Sequence, residues 1–161
     1  LINQSIHTLD LLVYLLGEPA WVEAASFNRH LKGVIETEDT FDAYIGFKSG
    51  AHALFYATTA YETDSPVLLE VVTENRTIRF EGDDITITDR TTKERVTEHL
   101  ENDAAIGKSY WGSGHPACIG AFYASLTGDR TFEVGIGSVV DTMELMFAAY
   151  QSASENRKVE L

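Results

Sequence analysis

From Ala20 to Leu100 the chain is a succession of short runs suited to strands, separated by turns of a few residues. Phe41, Ala43, Ile45 and Phe47 recur at every second position, the period of a strand with one buried face. Lys48-Ser49-Gly50 turns the chain. Ala51–Tyr61 then returns with Ala51, Ala53, Phe55 and Ala57 on one side and His52, Leu54 and Tyr56 on the other. This pair predicts an antiparallel hairpin. Ala20–His30 reads as a strand ahead of it, and Val67–Val72, read as apolar throughout, as one covered on both faces. Thr77–Glu81 and Ile85–Thr88 alternate about a turn at Gly82-Asp83-Asp84, and Lys93–Leu100 reads as a charged edge strand. Tight turns leave no room for parallel crossovers, so the pattern predicts an antiparallel meander. Helical periodicity is confined to the two ends of the chain. The expected class is α+β, with a mostly antiparallel sheet.

The first of those helices is the most distinctive. Ile2, Ile6, Leu9, Val13 and Leu16 make an apolar stripe, and Asn3, His7, Asp10 and Tyr14 make a polar one at the same spacing. Gly17 and Pro19 end the helix. An amide, an imidazole and a carboxylate stacked along an apolar rod need partners or a task, because leaving them buried and unpaired costs roughly 1–3 kcal/mol each. One reading is a hydrogen-bonded core histidine, with Asp10 holding the helix to a neighbour. A second is an acid/base site, since imidazole titrates near neutral pH. A metal site on Asn3, His7 and Asp10 offers a single good nitrogen ligand and is disfavoured. Ser5 lies two positions from His7 and cannot face it, which excludes a serine triad.

The later helices read as Ala117–Leu126, with Ile119, Phe122, Tyr123 and Leu126 at helical spacing, and Ser138–Ser154, with Val139, Val140, Met143, Met146, Phe147 and Tyr150 on its buried face. The loop Glu101–Gly114 carries Tyr110 and Trp111 and leads to His115, and these three are candidate pocket residues. Gly112-Ser113-Gly114 lacks the pattern of a nucleophile elbow. Gly135-Ile136-Gly137 lacks the third glycine of a dinucleotide fingerprint and reads as a turn before a helix. The acidic group Glu36, Glu38 and Asp39 reads as a solvated turn.

The 161 residues are enough for one domain, and 44% hydrophobic content is that of a globular chain. A net charge of −13 argues against nucleic acid and anionic membrane as partners. The single Cys118 excludes an internal disulfide framework and suits a reducing, cytoplasmic setting. The chain opens on Leu1 in mid-motif, and the expectation is a piece of a longer protein.

Together these residues resemble the C-terminal domain of the glucose–fructose oxidoreductase, inositol dehydrogenase and rhizopine-catabolism (Gfo/Idh/MocA) family. The resemblance rests on Leu1–Pro19, on Glu38-Asp39-Thr40, on Phe47–Ala51, on Gly114-His115-Pro116-Ala117 through Phe122, and on Ala148–Ser152 with Lys158–Leu161. It implies a dihydrodipicolinate reductase-like C-terminal fold over residues 1–161, α+β with helices on one face of an open-faced, mostly antiparallel sheet, and a Rossmann domain absent from this chain. It implies NAD or NADP as cofactor of the full-length protein and none on this piece. The implied substrate is a sugar, a cyclitol or a sugar derivative, and the implied assembly a homodimer or homotetramer through the sheet face. His7 is then the catalytic acid/base group. Asn3 stands where many members carry Asp and positions the substrate hydroxyl. Asp10 orients the helix or the imidazole and is a candidate substrate contact, with Tyr110, Trp111 and His115 as further pocket candidates. The alternative is a binding or oligomerisation module that has kept the fold and lost the chemistry.

Overall fold

The computed structural model describes residues 3, 5–63, 65–101, 114–128 and 130–161. In chain order its elements are α1 (Ile6–Leu16), β1 (Pro19–Phe27), β2 (Thr40–Phe47), β3 (His52–Thr58), β4 (Leu68–Val72), β5 (Arg76–Glu81), β6 (Asp84–Asp89), β7 (Arg95–His99), α2 (Gly114–Leu126), a short 3₁₀ turn (Ile136–Val139), α3 (Val140–Glu155) and β8 (Val159–Glu160). The class is α+β, with antiparallel sheets and three helices. The strands form two sheets of four, ordered β3-β2-β1-β8 and β4-β5-β6-β7. They belong to two compact units, Leu1–Glu62 with Glu133–Leu161, and Thr63–Phe132. The expected single meander is thus divided, and the break falls on Glu62/Thr63, where alternation lapses between two hairpins.

In the first unit the predicted hairpin is present, with Ala43 opposite Phe55, Tyr44 opposite Leu54 and Ile45 opposite Ala53. Gly50, at φ +85, supplies the left-handed turn residue. β1 adds on the other side of β2, and β8 covers β1 at Trp21 and Val22 only. One face of the sheet carries Val22, Phe41, Ala43, Ile45 and Phe55, all buried, and α3 packs along β1. The other face carries Trp21, Tyr44, His52, Leu54 and Tyr56. Leu54 is 85% exposed.

The buried side of α3 is Thr142, Leu145, Met146, Ala148, Ala149 and Ser152. Of the face predicted from the large apolar residues, Met146 is buried, whereas Phe147 and Val140 are exposed. Leu145 and Met146 fill the contact, and the small Thr142, Ala148, Ala149 and Ser152 complete it. Ser152, fully buried, accepts from the Ala24 amide at 2.9 Å and donates to the Arg157 carbonyl at 2.6 Å. It thereby takes up an edge amide of β1 that lies beyond the end of short β8.

The acidic group before β2 is also unlike its prediction. Asp39 is buried, with 2% of its surface exposed. Its Oδ2 accepts from the amides of His30 (2.7 Å) and Leu31 (2.9 Å), which gathers the loop after β1 around one carboxylate. The Leu31 amide is the largest influence holding this carboxyl below its ordinary range; burial opposes it, and the Thr40 hydroxyl and the His30 amide add to the lowering. Glu38 is half-buried and accepts from the Tyr150 hydroxyl at 2.7 Å. A solvated turn therefore describes Glu36 alone.

In the second unit β4 to β7 follow one another as hairpins, with β7 at the edge as its charges predict. β4 differs from its reading: Leu68, Glu70 and Val72 are exposed, and only Leu69 and Val71 are partly buried. Glu70 already marks a solvent side that the apolar neighbours obscure. α2 begins at Gly114, so His115 and Pro116 lie in its first turn, where proline is tolerated.

Candidate active site

α1 is held along its buried side and at its C-terminal end. Its first turn closes on the Ser5 carbonyl, which accepts from the amides of Thr8 and Leu9, both at 3.1 Å. Leu9 and Leu12 are its buried residues, and it lies against α3. At its other end Gly17, at φ +88, caps the helix with its amide on the Val13 carbonyl at 2.9 Å. The turn between β2 and β3 then takes hold of that end. The Ser49 hydroxyl donates to the Leu16 carbonyl at 2.9 Å, the Lys48 amide donates to the Glu18 carbonyl at 2.9 Å, and the Lys48 ammonium pairs with the Glu18 carboxylate.

On this rod His7 is exposed, and Tyr14, two turns further along the same stripe, is 82% exposed. Asp10 is half-buried at the boundary, and its Oδ1 accepts from the Thr142 hydroxyl of α3 at 2.6 Å. Asn3 is exposed in a turn ahead of α1, which begins at Ile6 instead of running from the first residue. Asn3, His7 and Asp10 are thus carried by one helix and its entry. His115 lies on α2, in the other compact unit. Tyr110 and Trp111 lie outside the described residues.

An exposed imidazole on this helix can accept a proton from, or return one to, a ligand that approaches α1. An exposed amide one turn earlier can both donate and accept a hydrogen bond. Among the described residues no group of three or more His, Cys, Asp or Glu side chains is placed to hold a metal ion. Among them, too, no helix is long and apolar enough to cross a membrane. A cavity of about 320 Å³ lies on the sheet of the second unit, lined by Arg79, Glu81, Asp84, Thr86, Arg95 and Thr97, none of them a predicted site residue.

Thr142 escaped the sequence reading. Its signal was available: a hydroxyl among the apolar positions of a long helix needs an acceptor, and a carboxylate on another apolar helix is a candidate.

No curated protein matches the chain. Among solved structures, an oxidoreductase from Agrobacterium radiobacter, in complex with NAD+, L-tartaric acid and magnesium, superimposes with a TM-score of 0.85 at 20% identity, covering 98% of this chain and 48% of that one. The WlbA dehydrogenase from Chromobacterium violaceum, in complex with NADH and UDP-GlcNAcA, gives 0.74 at 26% identity, covering 99% and 45%. A levoglucosan dehydrogenase in complex with NADH and levoglucosan gives 0.76 at 20% identity, covering 99% and 49%. The chain spans about half the length of each of these proteins. The model of the oxidoreductase family, C-terminal alpha/beta domain, matches residues 1–161. The chain belongs to the Gfo/Idh/MocA oxidoreductase family, whose C-terminal alpha/beta domain it matches from end to end.

Proposed function

We propose that this chain is the C-terminal, substrate-binding domain of an NAD(P)-dependent dehydrogenase acting on a hydroxyl carbon of a sugar, a cyclitol or a sugar derivative. The observation that carries the proposal is His7: an exposed imidazole on a helix held at its C-terminal end and along its buried side. Family membership supports the reaction class. The bound ligands of the WlbA and levoglucosan dehydrogenases support the substrate class.

His7 accepts the proton of the substrate hydroxyl as the carbon beneath it becomes a carbonyl. Asn3 holds that hydroxyl in place; an amide cannot take the proton onward, so the proton rests on His7. The nicotinamide of the full-length enzyme supplies the hydride acceptor. Among the described residues, the glycine-rich turn ahead of α3 does not suit its phosphates. Gly135 precedes a four-residue 3₁₀ turn that contains Ile136 and Gly137, and the first turn of α3 carries Asp141, the wrong charge for a phosphate. Cofactor binding is therefore assigned to a Rossmann domain elsewhere in the parent protein. Its compartment, on the single Cys118, is the cytoplasm.

The parent assembles as a homodimer or homotetramer through the outer face of β1–β3. Leu54 and Tyr56, 85% and 61% exposed, support this reading, with Tyr44 opposite Leu54 on the same face. The reaction is tested by incubating the full-length protein with NAD+ or NADP+ and D-glucose, myo-inositol, levoglucosan or UDP-GlcNAcA. Reduced cofactor is the expected product, and its absence with all four contradicts the proposal.

A further inference from the structure

Thr142 sits at the start of α3 with 2% of its surface exposed. A helical threonine commonly spends its hydroxyl on a carbonyl of its own helix. Here the hydroxyl crosses to α1 and donates to Asp10 Oδ1 at 2.6 Å, a short bond of the charge-assisted kind. Thr142 is the only partner of Asp10 among the described residues. The second carboxylate oxygen is thus uncommitted. At 3.6 residues per turn, Asp10 stands about 60° around α1 from His7 and about 40° from Tyr14, away from buried Leu9 and Leu12. One oxygen is anchored toward α3 while the residue borders the exposed stripe that carries the imidazole.

We propose that Thr142 is a positioning residue for the His7 site: it pins the Asp10 carboxylate so that Oδ2 accepts a hydrogen bond from a second substrate hydroxyl, next to the carbon that is oxidised. The inference rests on the reading of His7 as the acid/base group. It narrows the substrate class to polyols with neighbouring hydroxyls, because a simple alcohol offers nothing for Oδ2. No atom of Thr142 touches the substrate. Its hydroxyl removes the freedom of the Asp10 side chain before the ligand arrives, a cost otherwise charged to binding.

The test uses the full-length protein and whichever of D-glucose, myo-inositol, levoglucosan and UDP-GlcNAcA it oxidises fastest. Thr142→Val keeps the shape and removes the hydroxyl. It is expected to raise KM by about tenfold, with kcat within about threefold of the parent, as loss of a binding hydrogen bond does. Thr142→Ser should restore KM, and Asp10→Asn combined with Thr142→Val should be no worse than Asp10→Asn alone. If Thr142→Val fails to fold, Asp10→Asn carries the test with the same expected rise in KM. Unchanged KM in a folded Thr142→Val or Asp10→Asn protein, with His7→Ala made separately and shown to lose turnover, overturns the positioning role and leaves the His7 reading standing. Full turnover in His7→Ala, or no turnover of any of the four compounds by the unmodified protein, overturns the reading beneath it and the proposal with it.

Discussion

The indole of Trp21 occupies the space where a Cβ on Gly46 would lie. The two residues are cross-strand partners on the outer face of the first sheet. Glycine weakens a strand interior, and here it makes room for a large ring to lie across the backbone of its neighbour. Tyr44 meets that ring edge-on at 5.1 Å, His52 lies 5.6 Å from it, and the Lys158 ammonium sits 4.3 Å from its centre. Gly46→Ala forces the indole to move. Overpacking of this kind typically costs about 1–3 kcal/mol, so the melting temperature should fall by several degrees. A variant that melts with the parent would show that the ring shifts freely.

The same face carries the proposed assembly. Leu54→Glu with Tyr56→Glu places two charges on exposed apolar positions whose loss leaves the inner face of the sheet untouched. Sedimentation at high micromolar concentration should show the unmodified chain self-associated and the double variant monomeric. A strictly monomeric unmodified chain contradicts the assembly.

Asp39 makes the first unit sensitive to acid. Its carboxyl is held below the ordinary range in the folded state, chiefly by the Leu31 amide and with help from that of His30. The unfolded chain therefore binds the proton more readily. The stabilisation is complete above the unfolded value, about pH 4, and is lost as pH falls through the lower folded value. Melting temperature followed from neutral pH downward should decline over that window. Asp39→Ala, melting lower at neutral pH, should show a shallower decline. An equal acid dependence in the two proteins would assign it to other carboxylates.

Much of this was legible in the sequence. The alternation of Phe41, Ala43, Ile45 and Phe47 against Ala53 and Phe55 set the register of the hairpin, because one buried face tolerates no slip. Gly17 marked the end of α1 because its backbone there, at φ +88, is one that glycine adopts freely and side-chain-bearing residues rarely do. The misreadings share a cause. Apolar bulk was taken for burial, and α3 buries Ala148, Ala149 and Ser152 while exposing Phe147. Charge was taken for exposure, and Asp39 is buried on the backbone amides it organises. The bond from Thr142 to Asp10 spans 132 positions, and local spacing holds no record of such a pair.

The isolated chain is expected not to bind NAD(H) or NADP(H) tightly. A dinucleotide needs several free amides converging on its phosphates, and the Gly135–Gly137 turn ends at a helix that opens with Asp141. Calorimetric titration of the 161-residue chain with either cofactor should give no measurable heat of binding. Micromolar affinity would contradict the assignment of the cofactor to another part of the parent protein.

The central claim is that the exposed imidazole of His7 moves the substrate proton, and one variant tests it most directly. His7→Ala removes a solvent-facing side chain from a helix whose buried contacts are elsewhere, so the melting temperature should hold. General acid/base catalysis contributes roughly 10²–10⁴-fold, and turnover of the full-length enzyme should fall by that order while cofactor affinity is unchanged. A folded His7→Ala enzyme that keeps most of its turnover would contradict the account.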